Sequence, residues 1–404
     1  MLQISLKINR SAFLVSLILL SLASVGSCLA QDSLITDLTK KNLTTFVRKE
    51  NSFTGPGWEK IISKGKSSND ILIGEDHFTN EIPFFTSAIA SQFKFDNFFC
   101  EIDPYTATIL QEKISKLSAP DLHTYVNTYG NTLSFYSYQS EFDLLKQFTR
   151  SNTTIRGTDQ ILLIGDRVIF TELSKSTKNT AAKKIYELIA TNSKTYFDIF
   201  LKDQSKPFYL LTDDFEKNMN ALLALKLTER EVKIVEAMKL SAKIYKSQSH
   251  ELRIQLMKHQ LMEVYSNWAG KRNLFKYGAN HLAKGESFLE IYDTGNLVSS
   301  LNDAQYQQSL HIMILGISGT QASRFEGFPA EQIQPSDSMF KTLKPIIKNV
   351  NGEEWHCFDL LPLKDALNDG KLTVKDVKLQ RIIKGYDLLV LIPKVTASKF
   401  AKTK

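Results

Sequence analysis

Short apolar runs separated by helical patterns recur along most of the chain. The runs that we interpret as strands are DILIG, NFFCEI, TTIRG, LFKYG, LHIMILGI, HCFDL and YDLLVLIP. Most of them are apolar at successive positions rather than at every second one, which is typical of strands covered by helices on both faces. The pattern therefore predicts an α/β protein with a mainly parallel β-sheet flanked by helices.

The segments between these runs differ in the two halves of the chain. After the first run, one helical face carries Ile82, Phe85, Ile89 and Phe93. This spacing predicts a helix that crosses over between two parallel strands. From about residue 171 to residue 268 no strand pattern occurs, and Thr228 with Glu231 forms a capping-box signature. We therefore expect a helical insert in this region, which either shapes a substrate site or only supports the sheet.

The N-terminus has the layout of a secretory signal. Lys7 and Arg10 precede an apolar run, and small residues follow it. The sequence VGSC resembles the box ahead of a lipidated cysteine, Cys28, whereas CLA before Gln31 suits an ordinary signal peptidase. We predict a signal peptide at residues 1–30 and a single α/β domain at residues 31–404. Either cleavage predicts export to the periplasm, to the outer membrane as a lipoprotein attached through Cys28, or to the medium. A retained N-terminal anchor is the third alternative.

Composition and charge exclude some classes of partner. The chain has 404 residues, of which 43% are hydrophobic, and a formal net charge of +7. Its basic residues are mostly scattered among acidic ones and form no arginine stripe with interleaved aromatic residues, so no nucleic-acid partner is expected. Cys100 and Cys357 lie in apolar runs, which favours buried free thiols over a disulfide, and no C-x-x-C metal motif occurs.

Polar side chains follow four of the predicted strands at the point where each ends. They are Glu75, His77, Glu101, Asp103, Arg156, Asp159 and His281. Ligands of parallel α/β sheets gather beyond the carboxyl ends of the strands. We therefore expect these four strands to lie side by side, and their terminal side chains to form one shared site.

These residues support two chemistries. In the first, His77, His281 and a carboxylate bind one divalent metal ion, whose open position holds a water, and Glu75 or Glu101 transfers the proton. In the second, no metal binds and His77 activates water directly.

In the metal-free case, Glu75 or Asp159 would orient the imidazole ring of His77. Arg156 would hold an anionic group of the substrate or stabilise an oxyanion. In the segment after His281, Lys284, Gly285 and Glu286 form a predicted loop, which Asp293 follows. This loop either lines the mouth of the pocket or is an ordinary polar connection.

The motifs GEDH and GANH share the form G-x-x-H, each after an apolar strand. With this pair of motifs, the chain resembles the superfamily that includes erythromycin esterase-like proteins, TraB and Tiki proteins, and ChaN-type lipoproteins. Resemblance to the TraB–Tiki branch implies a metal-dependent peptidase site made of His77, Glu101 and His281. The erythromycin esterase-like resemblance covers nearly the whole mature chain and implies a histidine base that needs no metal. The GEDH spacing is closer to the Tiki and ChaN form, and no residue matches a haem ligand.

The sequence thus leads to a main hypothesis and alternatives. The main one is an exported hydrolase that activates water with histidine and glutamate at strand ends, and cleaves an ester or amide bond of a small molecule or peptide. The alternative is a surface or periplasmic protein that binds a small molecule in the same pocket without catalysis. A purely structural protein is the third. A catalyst needs a base within reach of a bound water, whereas a binding protein tolerates the loss of that base.

Overall fold

A nine-stranded sheet forms the centre of the protein, and a two-stranded sheet lies beside it. The structure is a computed structural model that describes residues 33–401. The strands are β1 (Leu43–Lys49), β2 (Ser52–Thr54), β3 (Asp70–Glu75), β4 (Asn97–Cys100), β5 (Thr154–Gly157), β6 (Asn273–Gly278), β7 (Ser309–Gly316), β8 (Thr320–Gln321), β9 (Glu331–Gln332), β10 (Trp355–Asp359) and β11 (Leu388–Ile392).

The order of strands in the large sheet is β2-β1-β10-β11-β7-β3-β6-β4-β5. From β11 to β5 every neighbouring pair is parallel, whereas β10, β1 and β2 extend the sheet with antiparallel pairs. The predicted α/β class and mainly parallel sheet are confirmed. The four strands expected to lie side by side are neighbours, in the order β3, β6, β4 and β5. The sequence did not predict β1 and β2, because these strands are largely exposed and lack a continuous apolar run.

Helices cover the sheet and connect its strands. The first, α1, is helical over residues 33–41. The others are α2 (Pro56–Lys66), α3 (Glu81–Gln92), α4 (Pro104–Lys116), α5 (Ala119–Tyr129), α6 (Gln139–Arg150), α7 (Asp166–Ser176), α8 (Thr180–Phe200), α9 (Asp213–Leu223), α10 (Glu229–Ser247), α11 (His250–Glu263), α12 (Tyr265–Trp268), α13 (Thr294–Asp303), α14 (Ser338–Ile347), α15 (Leu361–Asn368) and α16 (Val377–Gly385). Short 3₁₀ turns occur at Gly130–Ser137, Tyr209–Leu211 and Ala279–His281.

Both faces of the sheet are buried, which explains why its strands are apolar throughout. Every residue of β3 is buried. Ile71 and Ile73 pack into one large apolar cluster, and Leu72 between them packs into the cluster on the opposite face. Successive strand residues point to opposite faces, so a strand covered on both sides needs apolar side chains at every position.

The segment between β5 and β6 is helical, with α7 to α12 and no strand in a stretch that the structure describes in full. The capping box predicted at Thr228 and Glu231 begins α10. Cys100 and Cys357 are buried free thiols. Within residues 33–401, no helix combines the length and apolarity needed to span a bilayer. The predicted signal peptide and Cys28 lie outside the described residues, so export stays a prediction.

Gly157, the last residue of β5, allows two strand ends to approach closely. A Cβ atom there would lie 2.3 Å from the carbonyl oxygen of Asp103, whereas one at Gly285 would meet nothing within 4 Å. We expect Gly157→Ala to lower the free energy of unfolding by about 1–3 kcal/mol, because the added methyl overpacks the strand end. Urea denaturation of both variants measures this, with Gly285→Ala as the control. Equal midpoints for the two variants would show that the strand ends separate without cost.

Candidate active site

A cavity of about 590 Å³ opens at the carboxyl ends of β3, β6, β4 and β5. Its floor carries the charged residues that the sequence placed at the strand ends, including Glu75, His77, Glu101 and His281. Its walls include the aromatic side chains Phe78, Phe135, Phe325 and Phe340. The cavity therefore combines a charged floor with apolar walls, an arrangement that is typical of small-molecule sites.

His77 is held by contacts on its ring and on its backbone. Nδ1 lies 2.8 Å from Oε1 of Glu75, and the ring stacks on Phe135 with centroids 4.5 Å apart. Its carbonyl oxygen accepts a hydrogen bond of 2.7 Å from Nε2 of Gln321. The next residue, Phe78, has a φ of 67°, which is costly for a side chain with a Cβ. Its carbonyl accepts hydrogen bonds from the backbone N–H groups of residues 322 and 398, which hold this turn in place.

The G-x-x-H motif of β6 provides the space that His77 needs. Glu75 at the end of β3 pairs in register with Gly278 at the end of β6. A Cβ atom at Gly278 would lie 2.9 Å from Nε2 of His77. The glycine therefore lets the two strand ends meet while the ring of His77 lies over the neighbouring strand.

Glu101, which follows β4, lies at the centre of the site and is buried. Its Oε1 accepts a hydrogen bond of 2.7 Å from Nη2 of Arg253, and its Oε2 accepts one of 2.6 Å from the backbone N–H of Gly278. Nε2 of His77 lies 3.4 Å from Oε2, and Nε2 of His281 lies 3.5 Å from Oε1. One carboxylate thus faces both histidines.

His281 repeats the arrangement of His77. Its Nδ1 lies 2.8 Å from Oδ2 of Asp293, and the other oxygen of Asp293 caps α13 by accepting from the backbone N–H of Thr294. Each histidine is therefore oriented by a carboxylate at Nδ1, while Nε2 faces Glu101. The predicted loop at Lys284, Gly285 and Glu286 is not among the residues that line the cavity, whereas Asp293, further along the same segment, touches the ring of His281.

The helical insert contributes Arg253, which sequence reasoning missed. Its Nε and Nη2 donate to the two oxygens of Asp159 at 2.9 and 2.6 Å, in addition to the bond with Glu101. Asp159 therefore holds the arginine and does not orient the ring of His77, a role that Glu75 fills. The insert is thus part of the site and more than a support for the sheet.

Arg156 does not reach the cavity. Its Nε donates at 2.7 Å to Oδ1 of Asn97, the first residue of β4, so its side chain runs towards the amino ends of the strands. The arginines that line the cavity are Arg253 and Arg324 instead. Asp103 lines the cavity, but it also caps α4 by accepting from the backbone N–H groups of Tyr105 and Thr106.

The charges of the site shift each other's pKa values. Burial raises the pKa of the Glu101 carboxyl, but the neighbouring His281, His77 and Arg253 hold it well below its usual range. Burial lowers the pKa of His77, but Glu101 and Glu75 raise it to about 10. The pKa of His281 is raised in the same way, since Glu101 and Asp293 outweigh its burial. The His77 ring is therefore held in the charged form at neutral pH, and the charged form of His281 is favoured by the same kind of neighbours.

His250, the first residue of α11, is a second contribution of the insert that sequence reasoning missed. It lines the cavity, its ring centroid lies 5.7 Å from that of His281, and its Nε2 is buried with no hydrogen-bond partner among the described residues. Burial lowers its pKa, and the positive charges of His281 and Arg253 lower it further. His250 therefore faces the cavity as a neutral imidazole. In the sequence, the only sign of this role is that His250 lies three residues before Arg253 at the start of a helical pattern.

A divalent metal ion does not fit the predicted ligand set of His77, Glu101 and His281. Both oxygens of Glu101 are already engaged, and the guanidinium of Arg253 places a positive charge beside the carboxylate that a cation would need. Among residues 33–401, no group of three or more histidine, cysteine, aspartate or glutamate side chains is arranged to hold a metal. The metal prediction is thus not confirmed.

Comparison with known proteins identifies the fold. No family model and no curated protein matches the chain. Solved structures are similar over most of its length. A mutant of the erythromycin esterase EreC in its open conformation has a TM-score of 0.54 at 14% identity, over 85% of this chain and 95% of that chain.

Two further structures are similar to the same extent. A protein from Bacillus cereus has a TM-score of 0.53 at 13% identity, over 91% of this chain and 99% of that one. A succinoglycan biosynthesis protein has a TM-score of 0.54 at 13% identity, over 91% and 98% of the two chains. The chain therefore has the erythromycin esterase-like fold that its paired G-x-x-H motifs predicted.

Replacing Arg253 tests whether the fold needs its guanidinium to keep the carboxylates of Glu101 and Asp159 buried. We expect Arg253→Met to lower the free energy of unfolding by about 3–5 kcal/mol, because Glu101 and Asp159 would remain buried without their common cation. Arg381 is the matched control, since its partners Glu286 and Glu290 are more exposed.

The control variant, Arg381→Met, should cost about 0–1 kcal/mol. Chemical denaturation at pH 7 measures both changes. Similar losses for the two variants would contradict the central role of Arg253.

Proposed function

We propose that the protein is a hydrolase that activates water beside His77, Glu101 and His281 and cleaves an ester or amide bond. The observation that carries this proposal is the matched pair of histidines. His77 and His281 each have Nδ1 held by a carboxylate, and each presents Nε2 to the same cavity, 3.4 and 3.5 Å from Glu101. These distances exceed those of good hydrogen bonds, so a water or substrate oxygen competes easily for Nε2.

The two rings take different roles in the proposed reaction. His77, once deprotonated at Nε2, accepts a proton from the water that attacks the carbonyl carbon, and Glu75 stabilises the imidazolium that forms. The imidazolium then returns this proton to the leaving oxygen or nitrogen as its bond to the carbonyl carbon breaks. His281 keeps its proton on Nε2 and donates a hydrogen bond to the substrate carbonyl oxygen as negative charge develops there. The guanidinium of Arg253 holds the carboxylate of Glu101 between the rings of His77 and His281. No step passes through a metal ion.

The proposed substrate is a small molecule or a short peptide. The cavity has the volume of a small-molecule site, and aromatic walls above a charged floor suit a ligand with an apolar body and one polar, hydrolysable group. The fold is shared with an erythromycin esterase, which hydrolyses an ester. We also propose that the mature protein is exported, because the signal layout at residues 1–30 supports it.

A second candidate is a surface or periplasmic protein that binds a small molecule in this cavity and does not catalyse. One observation favours it. Because the pKa of His77 is raised to about 10, the ring is charged at neutral pH and holds no free lone pair for a proton from water. A cluster that stays charged would bind an anionic or strongly polar ligand group instead.

Substitution of the two histidines distinguishes these functions. We expect His77→Ala and His281→Ala each to lower kcat for p-nitrophenyl ester hydrolysis by about 10²–10⁴-fold, the usual contribution of a general base or acid. The surface variant His259→Ala is the control, since His259 is largely exposed on α11. Addition of EDTA should leave the wild-type rate unchanged.

Two outcomes contradict this proposal. If both alanine variants keep the wild-type rate, the catalytic assignment is wrong. If the wild type hydrolyses none of a broad set of esters and amides but binds a small molecule that His77→Ala does not bind, the binding function replaces it.

The pH dependence of hydrolysis gives a further prediction. A base works only when deprotonated, and the pKa of His77 is raised above its ordinary value to about 10. We therefore expect kcat/KM to increase with pH along a limb that lies well to the alkaline side of pH 6.5. Glu75→Gln removes one of the charges that raise this pKa, so it should move the limb to lower pH. A limb near pH 6.5 that Glu75→Gln does not move would exclude His77 as the base.

A further inference from the structure

Lys276 is a buried cation in the middle of a mostly apolar strand. It belongs to β6, whose sequence is NLFKYG, and its side chain is 3% exposed. Its Nζ lies 2.6 Å from Oε1 of Glu75 and 2.6 Å from Oε1 of Glu141 in α6. The ammonium group therefore lies between two buried carboxylates, one of which orients His77.

Burial of these three ionisable groups costs free energy of folding. Burying three ionisable groups costs more than burying apolar side chains of similar volume. Oε2 of Glu75 and Oε2 of Glu141 are buried with no hydrogen-bond partner among the described residues. All of the polar contacts of Glu75 thus fall on Oε1, which is shared by Nζ of Lys276 and Nδ1 of His77.

The sharing of one oxygen links Lys276 to the ring of His77. The ammonium fixes where Oε1 of Glu75 lies, and Oε1 fixes which way Nδ1 points. With Nδ1 engaged, Nε2 is left to face the cavity and Glu101. Acidic and basic side chains alternate along this line, from Glu141 through Lys276, Glu75 and His77 to Glu101.

We propose that Lys276 is a positioning residue for the proposed hydrolysis: by clamping the carboxylate of Glu75, it holds the His77 ring with Nδ1 as donor and Nε2 towards the cavity. This inference rests on the proposed function. Lys276 does not touch the substrate and acts only through Glu75. A cation at this strand position is therefore part of the catalytic arrangement rather than of the packing.

A double-mutant cycle tests this dependence. We expect Lys276→Met to lower kcat for p-nitrophenyl ester hydrolysis by about 10- to 100-fold with little change in KM, similar to the cost of losing a partner that orients a metal-bound histidine. In the Glu75→Gln background, the further change Lys276→Met should lower kcat no more. If the two losses multiply, Lys276 acts independently of Glu75 and the inference is overturned.

Lys113→Met is the matched control. Lys113 pairs with Glu172 at 2.5 Å in a half-buried lysine–glutamate contact whose two residues are not among those lining the cavity. This variant should leave kcat and the His77 ring unchanged. A loss of kcat equal to that of Lys276→Met would show a general effect of removing a lysine, and would overturn the inference.

A readout that needs no activity is the ¹⁵N NMR spectrum of the histidine rings, with the signals of His77 assigned through His77→Gln. We expect Lys276→Met to shift the ring nitrogens of His77, because Nδ1 loses its fixed acceptor. Unchanged His77 signals in folded Lys276→Met would refute the positioning role.

If Lys276→Met does not fold, Lys276→Met combined with Glu141→Gln carries the same measurement, because it removes one buried carboxylate together with the ammonium. A wild type without hydrolase activity would refute the proposed function. The ring spectrum would still decide the role of Lys276.

Discussion

The carboxylate of Glu101 is the group on which the geometry of the cavity depends. It accepts hydrogen bonds from Arg253 and from the backbone of Gly278, and its two oxygens face the rings of His77 and His281. One buried anion thus gathers two strand ends and a helix of the insert around a single point. Without its cations this carboxylate would be costly to bury, and without the carboxylate the cations would repel each other.

Much of the fold could be predicted because the sheet is covered on both faces. Continuous apolar runs such as Ile71–Ile73 follow from that burial, and charge directly after such a run marks the carboxyl end of the strand. These two signals were sufficient to find His77, Glu101 and His281 and to place them together. The antiparallel edge of β1 and β2 has neither signal, since its residues are mostly exposed.

The residues that were missed or misplaced have side chains whose direction the sequence does not reveal. Arg253 and His250 lie in the first turn of a polar helix, where charged residues are usually solvated, and only the docking of α11 brings them to the cavity. Arg156 has the right position in its strand, but its long side chain runs back to Asn97. Lys276 was hidden because one lysine does not change the apolar character of a strand, although it is the cation that Glu75 requires.

The order of the strands has a consequence for how the protein folds. β6 lies between β3 and β4, although it follows them in the chain only after the whole helical insert. During synthesis, the facing edges of β3 and β4 must therefore remain open until a strand made much later enters between them, which makes folding slow and exposes strand edges. Glu75, which ends β3, lacks its partner Lys276 until β6 enters the sheet. Glu101, which follows β4, lacks its partner Arg253 until α11 packs against the cavity. Closing the sheet and pairing Glu75 with Lys276 are thus one folding event, and a chain that stops before β6 has neither, although it already contains Arg253.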